Sequence, residues 1–140
     1  MAHRDHARRF ILLGGINAAL AVGLGAFGAH ILAQILTGAQ LTTFKTAVYY
    51  HMIHALGMVL AGLMASHSEK PRMLLWSGWM FLAGIVLFCG SLHGLLTSAP
   101  RWIGIFTPVG GFTFMAAWMT LGIGGYRAYN VPKVPKEYGD

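Results

Sequence analysis

The chain has 140 residues, of which 56% are hydrophobic and only 10% are charged, and its formal net charge is +6. A soluble domain usually carries about a quarter charged residues, so this chain has too little polar surface for a water-soluble globule. Its basic residues lie at the edges of apolar segments and form no stripe with interleaved aromatic rings, which excludes a nucleic-acid-binding protein. Composition therefore predicts a small integral membrane protein.

Four apolar segments are each long enough to cross a membrane as a helix. About 20 residues that rise 1.5 Å each span a hydrocarbon core of ~30 Å. None of the segments alternates apolar and polar residues, as the strands of a β-barrel would. The predicted fold class is all-α, an integral membrane four-helix bundle over residues 10–126, between a cytoplasmic N-terminus (1–9) and a cytoplasmic tail (127–140). The predicted spans are residues 10–33, 46–65, 73–96 and 104–126.

The first span follows two arginines, as a signal peptide would, but its apolar run is longer than the usual core of about 7–15 residues. Within it, Gly23, Gly25 and Gly28 spell the dinucleotide fingerprint G-x-G-x-x-G. That fingerprint needs a preceding strand and an acidic residue about 20 positions later. Asp and Glu occur only at positions 5, 69, 137 and 140. We therefore predict a retained transmembrane helix in which the glycines serve packing.

The basic residues predict the orientation of the chain. Eight of them fall on one side of the predicted membrane and two on the other. The eight are Arg4, Arg8, Arg9, Lys70, Arg72, Arg127, Lys133 and Lys136, and the two are Lys45 and Arg101. Because cytoplasmic loops carry the excess of Lys and Arg, both termini are predicted to be cytoplasmic (N-in/C-in).

Small residues recur at a spacing of four in the predicted helices. Gly15, Ala19 and Gly23 form one ridge on the first span, and a second ridge includes Gly25. Such ridges let helix backbones approach closely in lipid. We favour packing within the chain's own bundle over a homodimer motif, and two ridges on the first span predict that it is the central helix. The predicted packing positions are Gly15, Gly23, Gly25, Gly28, Gly57, Gly90 and Gly94.

Four histidines fall within the spans, all in the predicted outer half of the bundle: His30, His51, His54 and His93. Ionisable groups in a membrane usually face the bundle interior, so we expect His30 and His54 to lie near one another inside it. One interpretation is hydrogen bonding that ties helices together. The alternatives are a metal site made by the four histidines, or haem held by two of them. No carboxylate lies in any span, and no catalytic residue or other cofactor is predicted.

Several short segments carry a resemblance to a known family. They are Gly-Ala-Phe-Gly-Ala-His at 25–30, Thr-Ala-Val at 46–48, Gly-Ser-Leu at 90–92 and Thr-Pro-Val-Gly-Gly at 107–111. Through them the chain resembles the YgdD-like family of small four-span bacterial membrane proteins, domain of unknown function 423. The resemblance implies an inner-membrane protein with no assigned reaction. His30 and His54 fit the family pattern, whereas His51, Cys89 and His93 stand where glutamine, serine and tyrosine are expected.

The leading functional prediction is a protein that is not an enzyme. It would be a structural or accessory subunit, or a stabiliser, of a larger membrane assembly, with membrane lipids and other subunits or a second copy of itself as partners. A tail with Pro132 and Pro135 would suit docking. The alternative is a metal- or haem-binding membrane protein that uses the outer histidines. A transporter is disfavoured, because no internal repeat and no charged pathway is evident.

Overall fold

A computed structural model of the protein describes residues 2–97 and 99–129, and these residues form helices and short connections without a strand. The predicted tail therefore lies outside the described residues from position 130 onward. The α-helices are α1 (Ala2–His30), α2 (Gly38–Ser66), α3 (Arg72–Gly84), α4 (Gly90–Gly94) and α5 (Phe106–Tyr129). A π-helical segment, Ile85–Cys89, joins α3 to α4, and two short 3₁₀ helices cover Leu32–Gln34 and Arg101–Ile105.

Four helical stretches are long and apolar enough to cross a membrane: Asp5–Gln34, Gly38–Ser66, Arg72–Gly94 and Arg101–Ala128. They confirm the predicted all-α class with four spans. The third stretch, called the third span below, consists of α3, the π-helical segment and α4. The orientation of the termini stays a prediction.

The helices extend beyond the apolar segments that predicted them. α2 begins at Gly38 because Thr37 caps it. The backbone N–H of Gln40 donates a hydrogen bond to the Thr37 hydroxyl, and the backbone N–H of Thr37 donates one of 3.0 Å to the side-chain oxygen of Gln40. This reciprocal capping box satisfies amides that have no partner inside the helix. Hydrophobicity detects only the lipid-crossing part of such a helix.

The four spans form a rhombus in cross-section. α2 and the third span lie in the middle and pack against each other, α1 packs along α2, and α5 packs along the third span. α1 touches α3 only slightly and does not contact α5 within the described residues. The prediction that the first span is central is therefore wrong, and α2 holds that position.

α1 packs against α2 through a single seam of small residues. Every seventh residue of α1 faces α2 and is buried: Ala7, Gly14, Ala21 and Gly28. A spacing of seven is typical of left-handed helix pairs, in which one face stays turned to the partner. A Cβ atom added at Gly14 would lie 2.8 Å from the carbonyl oxygen of Ala55, and one at Gly62 would lie 2.7 Å from the carbonyl oxygen of Ala7. The two backbones therefore touch along the seam.

The other half of the bundle packs around aromatic rings set against glycines. Gly57 of α2 faces the ring of Phe81, Gly84 faces the ring of Phe114, and Gly110 of α5 lies against the backbone of Phe88 in the π-helical segment. Phe81 and Phe114 are 0% and 3% exposed. Small residues thus make room for rings here, whereas in the α1–α2 seam they make room for backbone.

The predicted packing glycines divide into two groups. Gly28 and Gly57 face the rings of Phe44 and Phe81, and a Cβ at Gly25 or Gly94 would make ordinary contacts at 3.6 Å and 3.5 Å. A Cβ at any of the other three would meet nothing within 4 Å. For those three, packing within the chain was predicted wrongly, because they lie on faces turned away from the bundle. The three are Gly15, Gly23 and Gly90.

Candidate functional site

The polar side chains inside the bundle are the candidate site, and Asn17 and His51 form its first part. His51 is 7% exposed, and its Nε2 atom lies 3.0 Å from Oδ1 of Asn17 on α1. A carboxamide oxygen can only accept, so Nε2–H of His51 donates this bond. The Asn17 amide group in turn donates a 2.8 Å bond to the carbonyl of Leu13. The pair joins α1 to α2 between the seam residues Gly14 and Ala21.

His54 lies one turn further along α2, inside an aromatic cluster. Its ring is 4% exposed and parallel to that of Phe114, with the ring centroids 3.4 Å apart and an angle of 8° between the planes. Its Nδ1–H donates a 2.6 Å hydrogen bond to the carbonyl of Tyr50. Phe81 and Trp118 complete the surroundings. His54 therefore fixes α2 against α5 by ring packing, and its own helix satisfies one of its nitrogens.

His93 lies in α4, near the C-terminal end of the third span. Its Nδ1–H donates a 2.6 Å hydrogen bond to the carbonyl of Cys89, and its ring meets that of Phe44 edge-on at 5.0 Å. The remaining nitrogen, Nε2, is buried without a hydrogen-bond partner, and within residues 5–97 and 99–128 it is the one buried side-chain polar atom in that state.

A hydroxyl pair ties the third span to α5. The Ser91 hydroxyl donates to the carbonyl of Phe88, so the Thr107 hydroxyl donates the 2.7 Å bond that joins it to Ser91. Each interface between neighbouring spans thus has a polar or ring contact. In hydrocarbon, where water cannot compete, such contacts orient helices that apolar surface alone would leave free to slide.

His30 does not belong to this group. Its side chain is exposed at the end of α1, and its carbonyl accepts a 3.1 Å bond from the Gln34 side chain. The prediction that His30 and His54 meet inside the bundle is therefore wrong. His30 is two residues beyond the buried Gly28, and two residues turn a helix by about 200°, so the imidazole faces away from α2.

The predicted metal site is not assembled in the described part of the chain. No group of three or more His, Cys, Asp or Glu side chains there is arranged to hold a metal ion. His51, His54 and His93 each use one ring nitrogen in a hydrogen bond inside the protein, and His54 and His93 pack against aromatic rings. What this arrangement can do chemically is hold helices together.

Sequence reasoning missed Asn17, the partner of His51. Its signal was an amide in an otherwise apolar span, although the predicted spans place it nearer the cytoplasmic end than His51. The seam residues Ala7, Gly14 and Ala21 were also missed, because a spacing of four draws attention to the exposed ridge instead. A search at a spacing of seven would have found them.

The outward face of α1 is a second candidate site. Gly15 and Gly23 are exposed there, and Ile16, Ala19, Leu20, Gly23 and Leu24 line an apolar groove of about 470 Å³. Only 17% of the most apolar stretch of the first span is buried in the protein, against 44% for α2. The ridge that sequence analysis assigned to the bundle therefore faces outward.

Comparison with known proteins gives one family. The profile described as "Protein of unknown function (DUF423)" matches residues 24–111. The UPF0382 membrane protein YwdK of Bacillus subtilis (strain 168) is 44% identical over 112 residues, which are 80% of this chain and 91% of the relative. A UPF0382 membrane protein of Staphylococcus saprophyticus is 41% identical over 118 residues, 84% of this chain and 97% of the relative. No solved structure matches the chain significantly.

Proposed function

The chain belongs to the DUF423 family of proteins of unknown function, and from this premise we propose that it is a non-catalytic accessory subunit that stabilises a larger assembly in the bacterial inner (plasma) membrane. The membership confirms the family resemblance seen in the sequence. The relatives' names call them membrane proteins and state no activity. The proposal goes beyond those names and rests on one observation, the unfilled groove on α1.

The groove has the properties of a helix-docking surface. Ala19 and Gly23 form its floor and lie four residues apart, which is the small-residue spacing that lets two backbones approach in lipid. Ile16 and Leu20 are 47% and 55% exposed and form its rim. Since lipid tails are as apolar as leucine, dispersion contacts with a well-fitting partner are what would favour its docking.

We assign the groove to a transmembrane helix of a different protein. A second copy of this chain would set its own alanine and glycine opposite the groove, an arrangement that also lets two backbones approach, and the crosslinking below tests it as the alternative occupant. A partner helix with large apolar side chains would fill the groove. An accessory subunit of this kind needs no reactive group, in keeping with inner polar side chains that serve hydrogen bonds between helices.

The test compares two substitutions on one helix in the native membrane. Ala19→Leu fills the groove, whereas Ala29→Leu makes the same change at an exposed position on a different face of α1. Complexes are extracted in a mild detergent, sized on native gels and analysed by mass spectrometry, with a photo-crosslinking side chain at position 20.

We expect the unchanged chain and Ala29→Leu to migrate with another membrane protein crosslinked at position 20, and Ala19→Leu to migrate alone. Crosslinks only to lipid, with a monomeric unchanged chain, would overturn the proposal. Crosslinks only between copies of this chain would overturn it as well, in favour of a homo-oligomer. Equal thermal stability of the two variants excludes misfolding as the cause.

A further inference from the structure

A second cavity lies at the end of the bundle where α1 and α3 both begin. It measures about 260 Å³ and is lined by His6, Arg72, Leu75, Trp76 and Trp79. We propose that this cavity binds an anionic phospholipid, with the headgroup phosphate at Arg72 and His6 and an acyl chain along the two indole rings. The site is separate from the groove on α1 and does not depend on the proposed function.

The charges around the cavity favour an anion. Arg72 offers a planar guanidinium that can donate two parallel hydrogen bonds to one phosphate group. Neither of the carboxylates in the described part of the chain, Asp5 and Glu69, lines the cavity. Among the charges close to His6 and Arg72 in sequence, Arg8, Arg9 and Lys70 outnumber the two carboxylates. Basic pockets between transmembrane helices are a known form of site for anionic headgroups.

The other wall of the cavity is apolar and faces lipid. Trp76 and Trp79 are 59% and 49% exposed, and residues three apart share one face of a helix. Indole rings are common at the depth of the headgroups, because their apolar body and N–H suit that boundary. A lipid can contact both walls at once, whereas a free phosphate ion would use only the charged one.

The ring of Trp79 is held in place by Phe10 of α1. Phe10 is 1% exposed and meets the Trp79 ring edge-on, at 5.2 Å between centroids and an angle of 82°. The Phe10 ring lies directly over Gly78, where an added Cβ would come within 2.9 Å of it. The contact between α1 and α3 therefore forms the wall of the cavity before any lipid arrives, and such preorganisation favours binding.

Charge also selects among headgroups. Phosphatidylcholine carries its own cation, which would lie next to Arg72, whereas phosphatidylglycerol adds no positive charge. We expect the full-length protein to retain phosphatidylglycerol at least about fivefold better than phosphatidylcholine of the same acyl chains, measured by native mass spectrometry. A fivefold ratio corresponds to about 1 kcal/mol, the size expected for one basic residue near an anionic lipid.

The matched control is at the opposite end of the bundle, where Arg101 and Trp102 are also exposed. Arg72→Gln should remove the preference, and Arg101→Gln should leave it unchanged. Excess inorganic phosphate should not displace the lipid. Equal retention of both lipids by the unchanged protein, or equal loss in both variants, would overturn the proposal, and displacement by phosphate would show an anion site without a lipid.

A second measurement covers the case in which Arg72→Gln fails to fold. In vesicles, phosphatidylglycerol brominated on its acyl chains should quench the tryptophan fluorescence of the unchanged protein more than brominated phosphatidylcholine does. Replacing both Trp76 and Trp79 with Phe should remove most of this difference. Identical quenching by the two brominated lipids in the unchanged protein would overturn the proposed site.

Discussion

His51 donates a hydrogen bond of 3.0 Å from Nε2 to Oδ1 of Asn17, 34 residues earlier in the chain. The seam around it consists of alanine and glycine, which allow close approach but would also tolerate sliding of one helix along the other. A slip of one residue would leave the amide and the imidazole without partners in hydrocarbon, where unsatisfied polar groups are costly. This pair therefore sets the register of α1 on α2, as a buried polar pair does in some coiled coils.

We predict that Asn17→Ala and His51→Ala each lower the free energy of unfolding by roughly 0.5–2 kcal/mol, the range for hydrogen bonds between membrane helices. The double variant should lose less than the sum, because both substitutions remove one shared interaction. Unfolding with a denaturing detergent in mixed micelles measures all three. Thr43→Ala is the control, since that hydroxyl bonds only to Ala39 of its own helix. Strict additivity of the two losses would contradict the coupling.

Adjacent glycines on α1 provide a second test. A methyl group added at Gly14 would lie 2.6 Å from a Val59 methyl group and 2.8 Å from the Ala55 carbonyl, whereas one added at Gly15 meets nothing within 4 Å. Gly14→Ala should therefore destabilise the purified protein by about 1–3 kcal/mol through overpacking. Gly15→Ala should be neutral or slightly stabilising, since alanine favours the helix. Thermal unfolding of the two variants in the same detergent measures both effects. Equal losses of stability would contradict the close contact of α2 with Gly14.

His54 and His30 should differ sharply in their effect on stability. His54→Phe should cost less than His54→Ala by about 1–2 kcal/mol, because phenylalanine keeps the ring stacked on Phe114 while the alanine variant leaves a cavity. His30→Ala should change the free energy of unfolding by less than about 0.5 kcal/mol, as exposed substitutions usually do. Detergent-induced unfolding measures each. A large loss of stability in His30→Ala would mean that the exposed His30 side chain contacts another molecule in the purified sample.

The orientation of the chain is a further prediction. Both termini should be cytoplasmic, given the eight-to-two split of the basic residues. Reporter fusions after residue 140 and within residues 67–71 should behave as cytoplasmic, and fusions near Gly38 and near Ser98 as external. A C-terminal fusion that reads as external would reverse the orientation and move the lipid cavity to the outer leaflet.

The fold class and the four spans could be predicted because they depend on summed hydrophobicity and length. The order of the helices could not, because it depends on which face of each helix is buried. α1 carries small residues at a spacing of four (Gly15, Ala19) and of seven (Gly14, Ala21), and nothing local decides between them. The residues of α2 decide which face of α1 is buried, because Ala55 and Gly62 face the small residues at a spacing of seven.

For the histidines too, part of their placement could be predicted from the sequence and part could not. The position of each histidine along its helix is fixed by the sequence, but the direction in which each imidazole points depends on the helix face, as the exposed His30 shows. The partner of His51 was beyond prediction for another reason. Asn17 is a single amide whose role appears only when α1 and α2 are paired in their actual register.

The rhombic arrangement bears on how the protein enters the membrane. α1 with α2, and the third span with α5, are two antiparallel hairpins, and a turn of five residues, 67–71, connects them. Because α1 does not contact α5 in the described residues, neither hairpin must wait for the far end of the chain before it buries its own interface. Insertion can therefore proceed in two consecutive steps, with the α2–α3 contact formed last as the halves diffuse together. We therefore expect two fragments divided within the 67–71 turn to assemble in the membrane, since each hairpin satisfies its own backbone hydrogen bonds.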